Sequence, residues 1–96
     1  MSLSAFEREV LGRVSDDYEA VHTIRGDLAR DLGRLVSDEE VASALLGLVR
    51  SGLVDAFVYD HATAEFRRVE AEKSPVDDLW FHTNQAGRPE HERSVA

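Results

Sequence analysis

Ser37-Asp38-Glu39-Glu40-Val41-Ala42-Ser43-Ala44-Leu45-Leu46-Gly47-Leu48-Val49-Arg50-Ser51-Gly52-Leu53-Val54 is the stretch whose reading decides the fold. Ser37 followed three residues later by Glu40 fits a capping box, in which the serine hydroxyl and the glutamate carboxylate each satisfy a backbone donor that the first helical turn leaves free. Val36 before the cap and Val41 at the fourth helical position fit a hydrophobic staple. Val41, Ala44, Leu45, Leu48 and Val49 recur at helical spacing and make one apolar stripe. Gly52 stands where a helix ends in a left-handed residue. Leu53 and Val54 then open an extended element.

Outward from this helix, the preceding sequence is helical. Phe6, Val10, Leu11 and Val14 fall on one face of a first helix over residues 4–14, with Ser4 and Glu7 as a capping box. Tyr18, Val21, Ile24, Leu28 and Leu32 are spaced by three or four and predict a second helix that Gly33 ends. Two starts are open for it. Asp16 and Glu19 can form a capping box, or Glu19 to His22 can be a short extended piece with Thr23 capping a helix from Ile24. Arg34, Leu35 and Val36 turn into the third helix.

The following sequence is extended. Leu53 to Asp60 and Glu65 to Glu70 are rich in strand formers and flank the loop His61-Ala62-Thr63-Ala64, which predicts a hairpin. Ala71 to Asp78 is a polar loop containing Pro75. Leu79-Trp80-Phe81-His82 predicts a short strand, with Trp80 or Phe81 filling the core beside Phe57 and Phe66. Thr83 is placed to cap a final short helix over 84–87, which Arg88-Pro89 ends. Residues 89–96 carry no apolar stripe and read as a flexible tail behind a single domain over 1–88.

The totals limit the function classes. With 96 residues the chain can bury one modest core. It holds no cysteine, which removes disulfides, thiolate metal sites and thiol nucleophiles. No apolar run approaches a membrane span, and the N-terminus lacks a secretion signal, so a cytoplasmic protein is expected. His22, His61, His82 and His91 have no partner at helical metal-binding spacing, and His91 between Glu90 and Glu92 reads as part of the tail. Asp16-Asp17-Glu19 lacks the glycine and spacing of a calcium loop. There is no phosphate-binding glycine loop and no nucleophile motif. No catalytic residue, cofactor or metal is expected.

Helix, helix, turn, helix, hairpin is the order of a winged helix-turn-helix domain, and the residues bear a closer likeness. Thr23-Ile24, Leu28-Ala29, Leu32-Gly33, Val41, Leu45, Leu48-Val49 and Gly52-Leu53-Val54 resemble its second and third helices. Trp80-Phe81-His82-Thr83 followed by Gly87-Arg88 resembles the last wing strand and following helix of MarR- and PadR-type transcriptional regulators. The turn between helices two and three departs by being about two residues longer than the tight DNA-binding form. The resemblance implies an α+β fold: a three-helix core, a two- to three-stranded antiparallel wing and a short C-terminal helix. It also implies DNA binding by helix three in the major groove, with the wing on the backbone, and a possible homodimer.

Two roles follow, both placed on helix three. In the first, the chain is a DNA-binding transcriptional regulator touching its target through Ser43, Leu46, Gly47, Arg50, Arg67 and Arg68. Against it stand a net charge of -8 and the carboxylates Asp38, Glu39 and Glu40, which suit the helix dipole and repel phosphate. Arg67 and Arg68, adjacent on a strand, point to opposite faces. In the second, the chain is a winged-helix protein-interaction module: Ser43 and Gly47 leave a flat helical face, edged by Leu46 and acidic residues, that accepts a partner helix with basic rims.

Overall fold

The computed structural model describes residues 3–87. The expected tail, the Arg88-Pro89 stop and His91 lie outside the described residues. The chain is α+β, with three helices on one side of a four-stranded antiparallel sheet. Helix α1 spans Ala5–Arg13, strand β1 Glu19–Ala20, α2 Val21–Leu32, α3 Asp38–Arg50, β2 Val54–Asp60, β3 Glu65–Val69 and β4 Trp80–Thr83. The sheet order is β1-β4-β2-β3.

Both predicted capping boxes form. Ser37 Oγ accepts from the Glu40 N–H at 3.0 Å while the Ser37 N–H donates to Glu40 Oε1 at 3.4 Å, and Ser4 and Glu7 repeat the arrangement on α1. Val36 and Val41 are both buried, as the staple requires. At the other end of α3 the Leu53 N–H donates to the Leu48 carbonyl and the Gly52 N–H to the Val49 carbonyl, both at 3.0 Å. Those two bonds make a Schellman motif, and Gly52 supplies its left-handed residue with φ 79°. The motif ends α3, and the chain enters the sheet at Val54.

Of the two predicted starts for α2, the extended one holds in part: the strand covers Glu19–Ala20 and the helix begins at Val21 rather than Ile24. Glu19–Ala20 is extended and pairs with Phe81 and Trp80 of β4, and the helix begins at Val21 behind an Ala20 cap that makes no side-chain hydrogen bond. Pairing with β4 holds these two residues out of the helix, so the sheet gains a fourth strand where two or three were expected. Gly33 ends α2 with φ 65°, as predicted. Leu32, read as the last member of the buried stripe and the last residue of α2, is 41% exposed. Gly26 lies inside α2, and a Cβ built there meets nothing within 4 Å. Gly26→Ala is therefore expected to stabilise the fold by about 1 kcal/mol. In thermal unfolding that is a rise of about 4–8 °C.

The core lies between the helices and one face of the sheet. Val10, Leu11, Ile24, Leu28, Val41, Leu45, Leu48, Val54, Leu79 and Phe81 are all at most 1% exposed. Register places Val54, Ala56 and Val58 of β2 on this face, with Phe81 and Thr83 of β4 opposite. Phe81, not Trp80, fills the core. Phe57 and Phe66 are not beside it, because both side chains project from the other face of the sheet.

Asn84, not Thr83, caps the turn after β4. Its Oδ1 accepts from the Ala86 and Gly87 N–H groups at 2.9 and 3.0 Å. Its Nδ2 donates to the Gly52 carbonyl at 2.8 Å and to Asp55 Oδ1 at 3.4 Å, and its backbone N–H donates to the Leu53 carbonyl. Thr83 instead ends β4 with its side chain buried, its N–H donating to the Val14 carbonyl at the end of α1. One asparagine thus ties the exit of α3 to the last strand.

Candidate interaction face on helix α3

Helix α3 buries Val41, Ala44, Leu45 and Leu48 and turns Asp38, Glu39, Glu40, Ser43 and Arg50 to solvent, with Leu46 half-buried between the two sides. Ser43, Leu46 and Arg50 stand three and four residues apart and share one outward strip. Gly47 does not belong to it. A Cβ built on Gly47 would lie 3.1 Å from Glu7 Oε2, so this residue faces α1. The flat face expected of Ser43 and Gly47 together is absent, and the usable strip is narrower and more apolar.

The strip runs into a cleft at the C-terminal end of the helix. About 710 Å³ of space opens between the last turn of α3, the start of β2, the end of β3 and the segment over 70–72. Leu46, Val49, Ala56, Val69 and Ala71 give it an apolar lining, and Arg50, Arg68, Glu70 and Glu72 ring it with charge. This volume lies in the range that takes a partner's side chains or a small molecule.

Of the six predicted contact residues, Leu46, Arg50 and Arg68 line this cleft, whereas Ser43, Gly47 and Arg67 do not. Arg67 and Arg68 do point to opposite faces: Arg68 is opposite Phe57 and Arg67 opposite Val58. Asn84, Glu70, Ala71 and Glu72 were not predicted. For Asn84 there was a local signal, a short polar side chain after a strand and three residues before a glycine, which is the pattern of an Asx cap. For residues 70–72 there was none, since only the crossing from β3 to β4 brings them against α3.

Most of the basic side chains are already engaged. Arg13 pairs with Asp31 at 2.6 Å, Arg25 with Asp38 at 3.0 Å, Arg30 with Asp27 at 3.3 Å and Arg34 with Glu40 at 3.4 Å. Arg67 pairs with Asp60, Arg68 with Asp55 and Lys73 with Glu70, at 3.9, 3.3 and 3.2 Å. Arg8 is engaged as well. Hydrogen bonds from Arg13 and Arg30 hold the Asp31 carboxyl below its ordinary range. Among the described residues Arg50 is the one basic side chain with neither an ion pair nor a hydrogen bond.

No protein-family model matches the chain, and no curated protein sequence matches it. No helix among the described residues is long and apolar enough to cross a membrane.

Proposed function

We propose that this chain is a winged-helix protein-interaction module whose α3 strip and adjoining cleft dock an amphipathic helix of a partner protein. Three helices followed by an antiparallel hairpin and a last strand, with an extended piece between the first two helices, support the winged-helix reading. The observation that carries the protein-binding role is the state of the cations. All but Arg50 of the described arginine and lysine side chains are engaged, so the described residues present no array of free positive charge. Exposed ion pairs are worth little, and an arginine can exchange its carboxylate for a phosphate. Each such exchange leaves the released carboxylate a few ångströms from the nucleic-acid backbone, which it repels.

The charge along α3 fits a partner helix. Glu39 at its first turn has no cation partner among the described residues, and Arg50 at its last turn has no anion. Helices tend to carry acid in the first turn and base in the last, in keeping with the dipole. An antiparallel partner helix therefore sets its basic end beside Glu39 and its acidic end beside Arg50, and drops one apolar side chain into the cleft on Leu46 and Val49. A partner recovered with the wild-type chain and then purified is expected to lose at least about tenfold in affinity to Leu46→Glu. It should lose several-fold to Arg50→Glu. Binding that both variants leave unchanged places the contact elsewhere and ends the proposal.

A second reading keeps the DNA-binding regulator. It is favoured by Arg50, a free cation on the exposed strip of the third helix. On this reading the chain is retained on duplex DNA at about 50 mM salt, released steeply as salt rises, and weakened by Arg50→Ala. No retention is the expected result.

A further inference from the structure

The sheet face that points away from the helices bears five of the chain's seven Phe, Trp and Tyr residues. Phe57 and Tyr59 of β2, Phe66 of β3 and Trp80 of β4 project from it by register, and Tyr18 joins them just ahead of β1. Their rings form one connected layer. Tyr18 stacks on Phe66 with centroids 3.9 Å apart and planes 4° from parallel, and meets Phe57 edge-on at 4.9 Å. Phe66 also takes Tyr59 at 5.1 Å and Trp80 at 5.5 Å, both edge-on. All five rings are half-buried, and none belongs to the core cluster or packs against it. Among the described residues no helix covers this layer.

Aromatic rings are the residues that dominate protein interfaces, and a contiguous patch of them marks a docking surface. What docks is decided by charge. Asp16 and Asp17 immediately precede Tyr18 and are exposed, whereas Asp60 and Glu65 at the hairpin end fall by register on the helix side of the sheet with Val58. Of the basic residues that share this face by register, Arg68 is paired with Asp55 and the His82 ring lies 5.0 Å from that of Tyr18. Partial burial first, and then the nearby Asp17 and Asp27, lift the Glu19 carboxyl above its ordinary range. A second copy brings the same acids and another net charge of -8, so two such faces repel each other. Single-stranded nucleic acid can stack its bases on aromatic rings, but its phosphates meet these carboxylates. A basic peptide suffers neither penalty. Arginine suits it better than lysine, because a planar, weakly hydrated guanidinium stacks on a ring face.

We propose that the outer face of the sheet, centred on the Tyr18–Phe66 stack and Trp80 and flanked by Asp16 and Asp17, is a docking surface for an arginine-rich segment of a partner protein. This surface lies on the side of the sheet away from the helices and does not depend on the role given to α3. Trp80 is the only tryptophan, so its fluorescence reports on this face alone. The full chain is titrated with acetyl-Arg-Gly-Arg-Gly-Arg-amide and with the lysine and glutamate peptides of the same pattern. The arginine peptide is expected to shift Trp80 emission saturably and to bind about fivefold more tightly than the lysine peptide. The glutamate peptide should give no shift. Tyr18→Ser should weaken arginine binding at least fivefold. Asp16→Asn combined with Asp17→Asn should weaken it several-fold while leaving the ring layer intact, since an asparagine at 17 still accepts the hydrogen bond that Asp17 takes from the Tyr18 N–H. Three results overturn the proposal: no emission change with the arginine peptide up to millimolar concentration, equal binding of the glutamate peptide, or a Trp80 shift that follows protein concentration without peptide and tracks dimer formation in sedimentation.

Discussion

Phe81→Ala is expected to destabilise the domain by about 4 kcal/mol. Phe81 is fully buried, and its register neighbours Ala56 and Glu19 are too small or too polar to close over the space a phenyl ring leaves. The loss has two parts: the transfer free energy of the ring, and the cavity between the sheet and the helices. A small domain holds only about 5–15 kcal/mol in total, so the variant sits near the edge of folding at physiological temperature. Phe66→Ala is the matched comparison. It removes the same ring from the opposite face, where solvent already reaches it, and is expected to cost about 1.5 kcal/mol, mostly from lost ring–ring contacts. Urea unfolding of both variants measures the difference. Equal losses would mean that the two faces of the sheet are equally buried, and the aromatic layer would then be part of the core.

That comparison isolates what could and could not be read from the residues. Helix α3 was legible to the residue because everything that defines it is local. Its capping box spans four residues, its staple six, and its terminating glycine adjoins the last turn. The hairpin was legible for the same reason. The sheet's sidedness was not. β2 carries apolar residues on both faces, with Val54, Ala56 and Val58 alternating with Phe57 and Tyr59, so period-two alternation cannot say which set is inside. The choice is made by β4, which lies in the middle of the sheet, and by Glu19–Ala20, whose pairing with β4 is remote in sequence. Leu32 shows the same limit in a helix. Its spacing fits the stripe, but burial needs a neighbour from another element, which helical spacing alone does not show.

The candidate site divides in the same way. Ser43, Leu46 and Arg50 follow from helical geometry alone, because the buried stripe fixes the strip opposite it. Gly47 could not be placed, since its neighbour Glu7 comes from another helix. The two facts that bear most on function are both tertiary. One is that Arg25, Arg34, Arg67 and Arg68 each meet a carboxylate while Arg50 meets none among the described residues. The other is that residues 70–72 close the cleft. Counts of charged residues contain neither.

Gly87→Ala is expected to cost about 3 kcal/mol, the second largest effect of a single substitution here. The reason is close approach. A Cβ on Gly87 would fall inside the van der Waals radius of the Leu53 carbonyl oxygen, 3.1 Å from the Leu53 carbonyl carbon and 3.3 Å from Thr83 Cβ. A backbone carbonyl cannot swing aside as a side chain can. Leu53 is also pinned, its N–H to Leu48 and its carbonyl to the Asn84 N–H. Relief must come from moving the turn over 84–87, which breaks the hydrogen bonds that Asn84 Oδ1 accepts, or from moving the exit of α3. The second route disturbs the wall of the cleft, because Gly52 and Asn84 both line it beside Arg50. Gly26→Ala is the natural control, since the same substitution in open space is expected to change stability in the opposite direction. Amide exchange distinguishes the two routes. Faster exchange confined to the Ala86 and residue-87 amides means that the turn has moved, whereas faster exchange at Gly52 and Leu53 means that the helix exit has given way and that partner binding at Leu46 and Arg50 will weaken with it. A Gly87→Ala protein within about 0.5 kcal/mol of wild type would show that the contact with Leu53 is loose and that Asn84 alone holds this corner together.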